Sequence, residues 1–153
     1  MPTNRASVAH DRWAQPTLLT THPLNTVNDA PIPIGIAVVE RDGRYLVGVR
    51  PEGVPLAGYA EFPGGKCGPG ETAEACAVRE CLEETGLVVE PKRLLEQVIW
   101  DYPHGRVELS FFLCENKGAA SDPLPPFRWV DRAELAALNF PQANAAPLRL
   151  LFA

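Results

Sequence analysis

Between Gly64 and Leu87 the chain reads GGKCGPGETAEACAVRECLEETGL, which places five glutamates and one arginine between a glycine-rich loop and Gly86. Thr72 is positioned to cap a helix at its start, and Gly86 to end it in a left-handed conformation. Within that helix Glu80, Glu83 and Glu84 stand at i, i+3 and i+4, on one face and about 5–6 Å apart. In open water such neighbours repel by only ~1 kcal/mol per pair, so a solvated face carries them unaided. In a cleft with an effective dielectric near 20 the repulsion rises to roughly 3 kcal/mol, and a divalent cation among them becomes the natural compensation. Hard carboxylate oxygens suit Mg²⁺ or Mn²⁺, which keep several waters and accept phosphate oxygens as well.

The elements that must position this helix are legible on either side of it. Residues 1–30 are rich in Thr, Asn and Pro without a sustained period; they read as an irregular arm, packed at most through Trp13, Leu18 and Leu19. Two β-branched runs, PIPIGIAVVE and YLVGVR, flank Asp42-Gly43 and read as a hairpin. PEGVPLAGYAEFPGG reads as a loop into the glutamate helix. Strand candidates follow at 94–102, 106–115 and 127–130, then two short helices, DRAELAAL and ANAAPLRLLF. Strands interleaved with helices predict an α/β fold with a mixed sheet between helices.

Composition narrows the partners. The 153 residues carry 46% hydrophobic and 22% charged side chains, ordinary for one enzyme-sized domain, and a formal net charge of −5. Such a chain has no global basic field for a nucleic-acid polymer or an anionic membrane, whereas a small phosphorylated ligand stays compatible once metal reverses the local sign. No apolar run reaches the ~18 residues of a membrane span, and the N-terminus lacks a signal-peptide pattern. Cys67, Cys76, Cys81 and Cys114 form no CxxC pair, so they read as reduced thiols of a cytoplasmic protein. His10, His22 and His104 are scattered and read as surface or turn residues. Monomer and homodimer both remain open.

From Gly65 the spacing runs five residues to Glu71, seven to Arg79-Glu80, then Cys81, Leu82, Glu83-Glu84, Thr85, Gly86, Leu87. This is the pattern G-x5-E-x7-R-E-U-x-E-E-x-G-U. Its seven fixed types coincide by chance in well under about one in a million chains of this length. The chain therefore resembles the Nudix hydrolases; Cys81 stands where they prefer Leu, Ile or Val, and it packs as a small hydrophobe. The resemblance covers about 31–153 and implies an α/β/α sandwich and divalent metal, Mg²⁺ or Mn²⁺, for splitting nucleoside diphosphate linkages. It implies that Glu80, Glu83 and Glu84 hold metal with a backbone carbonyl of Gly64 or Gly65, that Arg79 orients a neighbouring carboxylate, and that Glu71 supports the loop–helix geometry. Glu80, at the centre of the cluster, is the expected general base.

Outside the box, AEFPGGK (60–66), Arg50 and FPQAN (140–144) are similar to the MutT-type members, which remove oxidised guanine nucleotides. That resemblance makes Asn144 the base-reading residue, since an amide offers a donor and an acceptor side by side. A cap of the terminal helix is the alternative duty for Asn144. Phe62 and Phe140 could wall the base or fill the core. Lys66 and Arg50 are available to neutralise phosphate. Asp122, and more weakly Glu115, are candidates for a further metal ligand. Endings of the FPxAN type also occur in relatives acting on cytidine or modified pyrimidine nucleotides, so CTP-like nucleotides and ADP-ribose stay as alternative substrates. A nucleotide-sensing module without catalysis would have lost metal ligands, and none is lost here.

Overall fold

The computed structural model describes residues 30–103 and 105–152. The arm expected at the N-terminus, with Trp13, Leu18 and Leu19, and His10, His22 and His104 all lie outside the described residues. Among the described residues seven strands form one sheet: β1 (Ile32–Arg41), β2 (Arg44–Val49), β3 (Ala60–Glu61), β4 (Gly64–Lys66), β5 (Val89–Tyr102), β6 (Gly105–Asn116) and β7 (Arg128–Asp131). The path is β3-β2-β1-β6-β5, with β4 also on β1 and β7 also on β2. The β1–β6 pair is parallel, from Ile32 opposite Val107 to Glu40 opposite Glu115, and the other pairs are antiparallel. The sheet is therefore mixed, as expected. The described residues also form helices α1 (Ala73–Thr85), α2 (Arg132–Ala137) and α3 (Ala145–Phe152), a 3₁₀ turn at Gln142–Asn144 running directly into α3.

Alternation along β1 builds the two sides of the sheet. Ile34, Ile36 and Val38 point into a core with Phe62, Leu109, Phe111, Leu135, Ala143 and Leu151. Ala37 and Val39 point the other way, against Ala77 and Cys81 of α1, with Leu87 and Phe127. The sheet thus lies between α1 on one side and α2 and α3 on the other. Gly35 lets α1 approach: a Cβ there would fall inside contact distance of the Ala73 carbonyl and 2.8 Å from the Ala77 nitrogen.

The hairpin forms at the expected place, with Asp42 and Gly43 both at positive φ (51° and 78°). The segment expected to be plain loop contains β3 and β4, two and three residues long. They carry no readable period because register with β1 and β2, rather than local propensity, holds them. Strand β5 begins five residues earlier than its periodic part, and its pairing with β6 shifts register between Pro91 and Arg93. A proline without an N–H belongs at such an irregularity on an edge strand.

Candidate active site

Helix α1 is capped as its sequence requires. The Thr72 hydroxyl accepts from the Ala75 N–H (3.1 Å), and Gly86, at φ 79°, donates to the Leu82 carbonyl. These ends fix which side chains face β4 and the loop before it. Arg79 is the hub. Its Nε and Nη2 donate to the two carboxylate oxygens of Glu71, both at 2.8 Å, and Nη2 also donates to the Lys66 carbonyl. Its Nη1 donates to Glu80 (3.2 Å) and to both oxygens of Glu83 (3.3 Å). Glu71 in turn accepts the Gly68 N–H at 2.8 Å, which closes the glycine loop onto the helix. The bidentate fork to Glu71 is the strong part of this network, while the exposed Arg79–Glu83 pair contributes under about 1 kcal/mol.

The other two glutamates lie against the backbone of β4. Glu84 accepts the Gly64 N–H (3.3 Å), and the Glu80 carboxylate occupies the space a side chain at Gly65 would fill. The Gly65 carbonyl accepts from the Cys76 thiol at 3.1 Å. Burial pushes the Cys76 thiol up to about 12, so at neutral pH it stays a proton donor. Hydrogen bonds from Arg79, and then from the Gly68 N–H, pull the Glu71 carboxyl down to about 2.

That shift has a pH consequence. A carboxylate whose folded pKa is depressed stabilises the fold above its unfolded value, near 4.5, and loses that contribution as pH falls toward 2. Glu71→Gln should therefore lower the urea midpoint at pH 7. Its deficit relative to the wild type should shrink steadily between pH 4.5 and 2. A deficit of constant size over that range would show that the Glu71 charge has no part in it.

Whether these residues suit a divalent cation turns on donor chemistry. Glu80, Glu83 and Glu84 offer hard oxygens along one helix face beside glycine backbone, a set that fits Mg²⁺ or Mn²⁺. Among the described residues no three His, Cys, Asp or Glu side chains are already gathered at ligating distance. Arg79 Nη1 holds Glu80 and Glu83 together from the side, while the Glu71 fork keeps the guanidinium in place. Of the further acids, Asp122 lines an open groove with Arg41, Asp42, Arg44, Ser121 and Trp129, and Glu115 pairs with Lys92.

A cavity of about 380 Å³ opens on the face of the sheet away from α1. Its lining includes Ile36, Arg50, Pro55, Leu56, Glu61, Phe62, Tyr102 and Asn144. Ile36 is the register partner of Gly64, so one step across β1–β4 leads from the cavity wall to the backbone that holds Glu84. Arg50, Phe62 and Asn144, distant in sequence, meet here as three parts of one lining. The Ala60 N–H donates to the Asn139 carbonyl (2.7 Å), which draws the 139–144 segment against β3. The Phe140 ring then stacks on Phe62 at 4.8 Å between centroids. Asn144, 5% exposed, sits in the cavity lining at the end of the 3₁₀ turn. Lys66 lies on β4, outside this lining.

Sequence reasoning missed Glu61, which is buried and ion-paired to Arg50 Nη1 at 3.3 Å. Arg50 Nε also donates to the Pro55 carbonyl at 2.8 Å. Arg50 is thus a guanidinium 3% exposed and paired with a carboxylate within the cavity lining. Glu61 stands immediately before the Phe-Pro-Gly-Gly lead, but nothing in its own spacing announces a buried acid.

Residues 35–150 match the family profile described as NUDIX domain. The chain belongs to the Nudix family. This Nudix chain is similar to the 8-oxo-dGTP diphosphatase of Haemophilus influenzae, 35% identical over 106 residues, covering 67% of this chain and 77% of the relative. It is also similar to the CTP pyrophosphohydrolase of Escherichia coli, 43% identical over 56 residues, covering 37% of this chain and 42% of that one. The crystal structure of a MutT protein from Methanosarcina mazei has the same fold, with a TM-score of 0.66 at 20% identity over 82% of this chain and 95% of that one. The Nudix sandwich expected from the sequence is the fold observed, and no helix among the described residues is long and apolar enough to cross a membrane.

Proposed function

We propose that this Nudix hydrolase splits nucleoside triphosphates into monophosphate and pyrophosphate, and that its substrates are oxidised guanine nucleotides. What supports the reading is the convergence of Asn144, Phe62 and Arg50 on one cavity, whose wall residue Ile36 pairs with Gly64, the backbone bonded to Glu84. In the proposed arrangement Glu80, Glu83, Glu84 and the Gly64 carbonyl would hold Mg²⁺ or Mn²⁺, which would supply neutralisation of phosphate charge and activation of water. Glu80 takes the proton of the attacking water. Glu71 holds Arg79, and Arg79 sets the direction of the Glu80 and Glu83 carboxylates. Lys66 faces the remaining phosphate charge. The base lies in the cavity beside the Phe62–Phe140 stack, and Asn144 reads O6 and its neighbour with one acceptor and one donor. Arg50, balanced by Glu61, shapes the floor under the base. Similarity to 8-oxo-dGTP diphosphatases supports the guanine choice, and the shorter match to a CTP pyrophosphohydrolase keeps a cytidine nucleotide as the second reading.

The test is Mg²⁺-dependent kcat/KM for 8-oxo-dGTP and dGTP side by side, read as pyrophosphate release, with CTP and ADP-ribose as comparators. A preference of about two orders of magnitude or more for the oxidised nucleotide is expected. Asn144→Ala should remove most of it, because an unpaired buried polar edge costs several kcal/mol in discrimination. Comparable low rates on both guanine nucleotides, with faster turnover of CTP, would move the assignment to pyrimidines.

A further inference from the structure

The segment Pro51–Tyr59 belongs to no motif, yet it walls the cavity. Its neck is closed by two backbone bonds, Arg50 N–H to the Tyr59 carbonyl and Gly58 N–H to the Arg50 carbonyl, both at 2.9 Å. Its middle is tied down by Arg50 Nε on the Pro55 carbonyl at 2.8 Å. The arginine of the cavity floor therefore also sets the position of this loop. At its centre Leu56 has φ 63°, and its carbonyl accepts the Tyr59 N–H. A bulky residue in the left-handed region is an outlier that persists only where its surroundings impose it. Glycines stand close by at 53 and 58, and both take positive φ. Leu56 is also 38% exposed while lining the cavity, so core burial does not offset its strain.

We infer that Leu56 is a specificity-determining residue, held in a strained conformation so that its side chain covers the base of a nucleotide bound in the cavity. The inference rests on nucleotide occupancy of the cavity as proposed above. An isobutyl group against the base rewards the larger flat surface of a purine over a pyrimidine without any polar contact. Binding completes the burial that the free protein leaves unfinished.

Two substitutions separate side chain from backbone. Leu56→Ala keeps a Cβ and the strain but removes the covering group, while Leu56→Gly removes both. KM for 8-oxo-dGTP should rise about five- to tenfold in each, the scale expected for losing part of a leucine's burial, with kcat within about twofold of wild type. The melting temperature of Leu56→Gly should not fall, a readout that excludes simple loosening of the fold. Calorimetric titration with 8-oxo-dGMP gives the same comparison without turnover. Wild type that binds this product, with both variants binding equally well, overturns the role of Leu56 alone. A rise confined to the glycine variant also overturns it, by assigning the effect to backbone shape. Wild type that neither binds 8-oxo-dGMP nor turns over any nucleotide removes both this inference and the functional reading beneath it.

Discussion

Gly65→Ala is expected to lower kcat about 100-fold or more while shifting the melting temperature by no more than about 3 °C. A Cβ at position 65 would lie 2.5 and 2.7 Å from the two carboxylate oxygens of Glu80. The colliding atoms are the far end of a flexible side chain, so the fold yields by swinging the carboxylate aside. That displacement is of the order of 1 Å, and misplacing a reacting group by that much costs roughly 10²-fold. Gly35→Ala provides the contrast. Its Cβ meets the Ala73 carbonyl and the Ala77 nitrogen, which are helix backbone and cannot retreat without shifting α1. That variant should lose about 3 kcal/mol of stability, the upper part of the usual cost of overpacking. Urea melts and single-substrate kinetics on the two alanines check both statements. Full activity in Gly65→Ala would mean that the position of Glu80 against β4 is irrelevant to turnover.

Glu80→Gln should cost more, about 10³-fold or beyond in kcat, at unchanged melting temperature. The amide keeps the shape of the side chain but can neither take a proton from water nor serve as an anionic ligand. Loss of general-base action alone accounts for roughly 10²–10⁴-fold. Arg79 still has the Glu71 fork, so the loop–helix junction should survive intact. Glu71→Gln, by contrast, acts through Arg79 and the Gly68 loop and should reduce kcat by about tenfold. The readouts are pyrophosphate release across a Mg²⁺ titration and thermal melts of the three proteins. If Glu80→Gln retains kcat within tenfold of wild type, the base is Glu83 or Glu84, and the matching glutamine variants identify which.

The glutamate helix was legible because its meaning is local. Thr72, Gly86 and the i, i+3, i+4 glutamates act through neighbours within a turn or two, and backbone dihedrals and side-chain spacing carry that information along the chain. The Asp42-Gly43 turn and the alternating strands belong to the same class. The roles of Glu71 and Arg79 are legible only through the family resemblance, and the structure joins the two side chains in a bidentate fork. What only the tertiary structure decided is long-range. Strands β3 and β4 exist through register with β2 and β1, since two or three residues contain no period to read. The Arg50–Glu61 ion pair follows from β2 lying beside β3, and it makes Arg50 a buried, paired group. Asn144 shares a cavity lining with Arg50 because the 139–144 segment docks on Ala60, and Leu56 joins that lining through a loop clamped by the same arginine. Such contacts depend on complementary surfaces brought together after the chain has folded back, and sequence spacing carries almost no trace of which surfaces will meet.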